Sequence, residues 1–141
     1  MQHHSRAIRS YGSVHASSSL VGARGAHLTQ MLFDGLVDAL VALRGHIVHQ
    51  SLPAKSAQVA RAQRIVTGLQ STLDFDRGGE IARNLDELYR YVMRRLVHVH
   101  AHNDLEVLDE VTGLMREIRD AWRTLAPGAA NMVPTPPAQP S

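Results

Sequence analysis

The chain has 141 residues, a formal charge of +2, and 44% hydrophobic but only 4% aromatic residues; this composition predicts one helical domain and disfavours both a disordered chain and an all-β fold. The absence of cysteine excludes a disulfide scaffold, a thiolate metal site and a cysteine nucleophile. The charge is small and no five like charges follow one another, so no nucleic-acid partner is expected, and no apolar run approaches the roughly 20 residues that cross a membrane.

Residues 1–25 are rich in Ser, Gly and His, and we expect them to form a mobile N-terminal arm or a short capping helix. They contain no apolar stretch long enough for a signal peptide, which predicts a cytoplasmic protein without membrane insertion.

The first two long helices are predicted over residues 26–50 and 53–74, because apolar residues recur there at three- and four-residue steps. Ser51 is the expected N-cap of the second helix, with Pro53 in its first turn. The stripe of the first helix is Leu28, Leu32, Leu36, Ala39, Leu43 and Ile47, widened by Phe33, Val37, Leu40 and Val41. The stripe of the second is Val59, Ala62, Val66, Leu69 and Leu73.

A break over residues 74–79 separates these helices from two more, predicted over 80–102 and 104–125. Asn103 is the expected N-cap of the fourth helix, with Glu106 completing a capping box. The third helix has an inner stripe of Ile81, Leu85, Leu88, Val92, Leu96 and Val99 and a second strip of Tyr89, Met93 and Val97. The stripe of the fourth helix is Leu108, Val111, Met115, Ile118, Trp122 and Leu125.

Short connections force neighbouring helices to run antiparallel, so the expected fold is an all-α, up-down-up-down four-helix bundle over residues 26–126. Pro127 and Gly128 end the last helix, and four further prolines predict a disordered tail over residues 127–141.

No catalytic constellation, cofactor motif or phosphate-binding loop accompanies these helices, so we expect neither an enzyme nor a cofactor. The Glu-x-x-His spacing of di-iron bundles is absent. The main local anomaly is a histidine-rich pole, where His46 and His49 end the first helix and His98, His100 and His102 end the third. Histidines interact well with the negative end of a helix dipole, and no carboxylate is obviously placed to orient them, so no metal site is assigned.

The second apolar strips of the first and third helices permit two interpretations. Each helix of a bundle touches two neighbours, so wide stripes are usual in a core. Met and Tyr are also favoured in grooves that accept a partner helix. The groove interpretation assigns partner binding to Phe33, Val37, Tyr89, Met93 and Val97.

Several segments together resemble the flagellar secretion chaperones of the FliS family. On the first helix, residues 30–35 (QMLFDG) are similar to the family's first-helix motif. Residues 84–96 (NLDELYRYVMRRL), the Asn103-Asp104 turn and residues 110–122 (EVTGLMREIRDAW) follow in the same order and spacing. The similarity extends from about Tyr11 to Leu125.

The resemblance implies a cytoplasmic chaperone with no enzymatic step. Such a protein binds the C-terminal segment of flagellin, prevents its premature polymerisation and supports its delivery to the flagellar type III export apparatus. In the family, the segment that contains the counterpart of Tyr11, with Val14 beside it here, can cover the binding surface when flagellin is absent.

Two other classes of protein stay open at this point. One is a metal-binding or phosphotransfer bundle that uses the histidine-rich pole, and the other is a structural bundle that oligomerises through its apolar strips. The sequence leaves the oligomeric state open.

Overall fold

The computed structural model describes residue 21 and residues 23–125, which form four α-helices and, within that part of the chain, no strand. The helices are α1 (Ala23–Val48), α2 (Leu52–Ser71), α3 (Phe75–His102) and α4 (Leu105–Leu125). The predicted all-α four-helix fold is therefore confirmed. The predicted tail, residues 127–141, and the first 20 residues of the predicted arm lie outside the described residues.

The four helices form a ring in which α1 packs on α2, α2 on α3, α3 on α4, and α4 returns to α1. The connections are residues 49–51, 72–74 and 103–104, too short for anything but antiparallel neighbours. One end of the bundle, which we call the histidine pole, carries the 49–51 and 103–104 turns. The other end, the terminal pole, carries the 72–74 connection, the start of α1 and the end of α4.

The core is aliphatic, with three large aromatic side chains near the terminal pole. Most residues of the predicted inner stripes are buried. The fully buried large side chains are Phe33, Leu36, Leu40, Leu43, Val66, Leu69, Tyr89, Val92, Leu96, Val99, Leu108 and Met115. The fold therefore follows the apolar periodicity of each helix.

Three residues of the predicted stripes are instead exposed, Leu28 at 47%, Val41 at 49% and Ile81 at 61%. Two four-residue steps separate Leu28 from Leu36. Each step exceeds the 3.6-residue repeat, so Leu28 lies about 80° around the helix axis from Leu36. Ile81 is exposed for a different reason, because it lines an open cleft near the terminal pole.

The predicted capping box at Asn103 is wrong. Asn103 adopts a left-handed conformation (φ 54°, ψ 39°) and ends α3, its N–H donating to the Val99 carbonyl at 2.8 Å. Asp104 caps α4 instead, its Oδ1 accepting from the Val107 N–H at 3.1 Å. Asparagine is the non-glycine residue best suited to a left-handed helix end, which explains the exchange of roles. Ser51 precedes α2 as predicted, but its side chain makes no capping hydrogen bond.

The predicted break before the third helix is a kink within α3. Asp74 caps a first short turn, its Oδ1 accepting from the Arg77 N–H at 3.0 Å. At Gly79 the backbone then leaves helical geometry (φ 54°, ψ −130°), a conformation that favours glycine. Regular helix resumes at Glu80, where the sequence predicts the helix to begin. None of the helices in the described part of the chain is long and apolar enough to cross a membrane.

Candidate functional site

An apolar cleft opens between α3 and α4 near the terminal pole. These two helices pack most sparsely of the four neighbouring pairs. Toward the histidine pole, two polar contacts join the pair: the Tyr91 hydroxyl donates to Glu110, and His98 Nε2 lies 2.9 Å from Asp104 Oδ2. Toward the terminal pole, apolar side chains of both helices face an open cavity instead.

Aromatic side chains form the floor of the cleft. Phe33 of α1 lies between Tyr89 of α3 and Trp122 of α4, with ring centroids 6.5 Å and 6.2 Å apart and tilted planes. The Trp122 indole N–H donates to the Ala26 carbonyl at 3.3 Å, which fixes the ring against α1. All three rings are at most 5% exposed, so the floor is packed and preformed without a partner.

The walls of the cleft are aliphatic. Ile81 and Leu85 come from α3, and Ile118, Ala121 and Leu125 from α4. Val21, Thr29 and Leu73 complete the lining, so no charged side chain of the described residues lines the cleft. Such a surface recognises apolar groups and would penalise a buried charge.

The cavity within the cleft measures about 260 Å³. An apolar cavity of about 150 Å³ in another protein holds a benzene ring, so this one accommodates roughly two large apolar side chains. It is too small to enclose a helix. A helical partner would therefore lie over the opening and insert side chains from one face, as helix-in-groove recognition requires.

Burial of Tyr89 in the floor changes its acid–base chemistry. Only 1% of its surface is exposed, and loss of solvation raises the pKa of its hydroxyl well above the ordinary value. The ring is therefore neutral and apolar throughout the physiological range.

We expect this shift to make the protein less stable at alkaline pH. The raised pKa means that the folded state holds the Tyr89 proton more tightly than the unfolded chain, whose tyrosines titrate near pH 10. The resulting stability is complete below about pH 10 and is lost as the pH rises further. Urea unfolding measures the free energy of unfolding at pH 8 and at pH 10.5. The decrease between the two pH values should be smaller for Tyr89→Phe than for the parent protein.

Tyr91→Phe is the control for this experiment. The pKa of Tyr91 is also raised, but chiefly by its hydrogen bond to Glu110, and Tyr91 is only half-buried. Removal of the Tyr91 hydroxyl should alter the decrease in the free energy of unfolding at high pH less than removal of the Tyr89 hydroxyl does. If the free energy of unfolding falls equally at high pH in the parent and in Tyr89→Phe, the proposed effect of Tyr89 burial on stability is wrong.

The structure brings two of the predicted groove residues into the cleft, Phe33 and Tyr89. Val37 is buried in the core, Met93 is half-buried and Val97 is 59% exposed. Tyr11 and Val14 lie outside the described residues.

Met93 and Val97 lie along a different side of α3 from the cleft. They share a helical face with Asp86 and His100, given the spacing of seven, four and three residues. Asp86 accepts a hydrogen bond from Gln70, and His100 lies 3.3 Å from Ser56 Oγ, so this face adjoins α2. We call Met93 and Val97 the α2-side strip.

The apolar periodicity does not reveal that residues of the predicted inner stripes line the cleft. Six residues that were assigned to the core make up more than half of its lining: Leu73, Ile81, Leu85, Ile118, Trp122 and Leu125. Their periodicity matches that of fully covered residues, so no local signal separates them. The Gly79 kink, two residues before Ile81, is the sequence feature that marks this end of α3.

At the histidine pole, the three histidines at the end of α3 (His98, His100 and His102) contact neighbouring side chains. His98 contacts Asp104 as well as His102, whose ring centroid lies 4.7 Å away. The hydrogen bond from His98, followed by the Val107 N–H, lowers the pKa of Asp104. Asp104 is thus the orienting carboxylate that the sequence analysis did not find. Among the described residues, no group of three or more His, Cys, Asp or Glu side chains is arranged to hold a metal ion.

An all-α bundle with a preformed apolar cleft between two of its helices defines a class of helical binding proteins. Comparison with known sequences is more specific. Residues 7–129 match the family described as Flagellar protein FliS. The chain therefore belongs to the FliS family, which is a family of flagellar secretion chaperones and not of enzymes.

Three curated relatives illustrate the similarity. The flagellar secretion chaperone FliS of Salmonella typhimurium strain LT2 is 39% identical over 124 residues, which cover 87% of this chain and 92% of the relative. FliSB of Pseudomonas aeruginosa strain PAO1 is 36% identical, with 83% and 93% covered. FliS of Vibrio cholerae serotype O1 is 30% identical, with 89% and 92% covered.

Proposed function

We propose that this protein is a cytoplasmic chaperone that binds the C-terminal segment of flagellin in the cleft between α3 and α4. By covering the apolar face of that segment it prevents premature polymerisation, and it supports delivery of flagellin to the flagellar type III export apparatus. The observation that carries the proposal is a preformed, uncharged cleft of about 260 Å³ in a member of a secretion-chaperone family.

The chemistry of the cleft supports an amphipathic, apolar-faced ligand. A segment that is unfolded until it docks can form a helix over the opening and place apolar side chains against Phe33 and Tyr89. The same apolar face would otherwise pair with other flagellin chains. Occupation of that face is sufficient to block assembly, and no chemical step is needed.

Titration calorimetry with flagellin tests this function. We expect saturable binding of full-length flagellin to the chaperone and no detectable binding of flagellin that lacks its C-terminal segment. A peptide of that segment alone should bind, with a negative heat-capacity change from apolar burial. Equal binding of the truncated flagellin would show that another part of flagellin is recognised.

We also propose that the N-terminal arm, including Tyr11 and Val14, competes with flagellin for the cleft. The support for this proposal is that Val21, the first described residue, lines the cleft. Val14 is seven residues from Val21, within about 25 Å even for an extended chain. If the arm occupies the cleft for part of the time, the apparent affinity for flagellin is the intrinsic affinity multiplied by the fraction of time that the cleft is unoccupied.

The same titration with a variant that lacks residues 1–20 tests the arm. Its affinity for the flagellin peptide should equal or exceed that of the full chain. Weaker binding would show that the arm contributes contacts to flagellin instead of competing with it.

A further inference from the structure

A second cavity lies at the histidine pole, between the 49–51 turn, the start of α2 and the 103–104 turn. Its volume is about 440 Å³, and its polar lining comes from His46, Gln50, Ser51, Lys55 and Asn103. Phe33 in the cleft and His46 in this pocket are 13 residues apart on α1, about 20 Å along the axis. We call this cavity the pole pocket, and it is separate from the proposed flagellin cleft.

The pole pocket contains a buried cation. Lys55, the only lysine of the chain, is 8% exposed. Its Nζ donates to the His100 carbonyl at 3.2 Å and to Asn103 Oδ1 at 2.9 Å. Both acceptors are uncharged, and an ammonium group has a third proton to donate.

No carboxylate of the described residues lines this pocket. Charged groups that are buried in proteins are normally paired with an opposite charge, because the cost of desolvation is otherwise poorly offset. The carbonyl of His100 lies at the negative end of the α3 dipole and offsets part of that cost. A full counter-charge for Lys55 is still missing from the pocket lining.

We propose that the pole pocket binds a carboxylate carried by a peptide partner. The ammonium of Lys55 supplies the charge, and the positive end of the α2 dipole points to the same place. Val48, the last residue of α1, and Leu52, the first residue of α2, flank the 49–51 turn and are 50% and 63% exposed. They suit aliphatic residues beside the carboxylate, so the preferred partner is an acidic segment with apolar neighbours.

Amide resonances of the full-length ¹⁵N-labelled protein provide the test. Three peptides are titrated: acetyl-Leu-Glu-Leu-amide, acetyl-Leu-Gln-Leu with a free terminal carboxylate, and the neutral acetyl-Leu-Gln-Leu-amide. We expect saturable shifts at Ser51, Leu52 and Lys55 with at least one acidic peptide and none with the neutral one. Binding of the first peptide shows that the pocket accepts a side-chain carboxylate, and binding of the second shows that it accepts the carboxylate of a chain terminus. Equal shifts with all three, or none with either acidic peptide, would overturn the proposal.

Two variants separate ligand binding from a purely structural role of Lys55. Lys55→Gln should lower the affinity for the acidic peptide about tenfold, since a neutral amide replaces the cation. Because this change can also disturb the contact with α3, Leu52→Glu provides an independent test. It leaves Lys55 in place and introduces a competing carboxylate into the pocket lining, so it should weaken binding severalfold.

Met31→Glu is the matched control, since it makes the same change in charge at a 57% exposed position on α1, outside the pocket lining. It should leave the affinity for the acidic peptide unchanged. Unchanged affinity in Leu52→Glu, or an equal loss in Met31→Glu, would overturn the proposal. All three variants should bind the flagellin peptide as the parent does. The proposal for the pole pocket and the proposal for the cleft are therefore tested independently.

Discussion

Ile81→Glu is expected to weaken binding of the flagellin C-terminal segment at least tenfold while the bundle stays folded. Ile81 lines the cleft and is 61% exposed, so the free protein tolerates a charge there. A docked partner would bury the new carboxylate in a lining that offers no cation. Burial of an unpaired charge costs several kcal/mol, and about 1.4 kcal/mol already corresponds to tenfold. Titration calorimetry with the flagellin peptide measures the loss.

Val97→Glu is the matched control for Ile81→Glu. Val97 is also β-branched, lies on the same helix and is 59% exposed, but it belongs to the α2-side strip. Its substitution should change the affinity by less than about twofold. If Val97→Glu abolishes binding and Ile81→Glu does not, the α2-side strip is the binding surface. If neither variant weakens binding, flagellin is bound elsewhere.

Leu96→Ala is expected to lower the free energy of unfolding by about 2–5 kcal/mol, the range for removing a large buried side chain. Leu96 has no exposed surface and belongs to the inner stripe of α3. The loss combines the transfer free energy of the deleted carbons with the cost of the cavity that remains. Urea unfolding followed by circular dichroism measures the change.

Leu28→Ala makes the same chemical change at a position that the apolar periodicity also assigned to the core. Because Leu28 is 47% exposed, its substitution should cost no more than about 1 kcal/mol. Equal losses for Leu28→Ala and Leu96→Ala would mean that Leu28 is covered in solution and would contradict this prediction.

Helix boundaries were predictable wherever one local rule decided them. The third helix regains regular geometry at Glu80 because Gly79 interrupts it, and glycine is a recognisable signal. The end of α3 was harder to predict. Asn103 can cap a following helix or end a preceding one in the left-handed conformation, and the neighbouring Asp104 can also cap. Two good capping residues in succession leave their roles undetermined.

The candidate site was predictable only in part. The excess of apolar residues on α1 and α3 indicated a groove, and two of its five assigned residues, Phe33 and Tyr89, lie in the cleft. Ile118 and Leu125 were assigned to the core, although they form part of the opposite wall. A side chain covered by a neighbouring helix and one that faces an open cleft are equally apolar, so periodicity within a helix cannot distinguish them.

The sequence by itself determined the number of helices, their approximate spans and the apolar face of each one. These properties depend on interactions within a few residues, namely the 3.6-residue repeat and the glycine and capping residues that interrupt it. Only the tertiary structure decided that α3 and α4 separate near the terminal pole and that Lys55 reaches the end of α3. The distance between two helices depends on every side chain packed between them and their neighbours, and that sum is not encoded in any single segment.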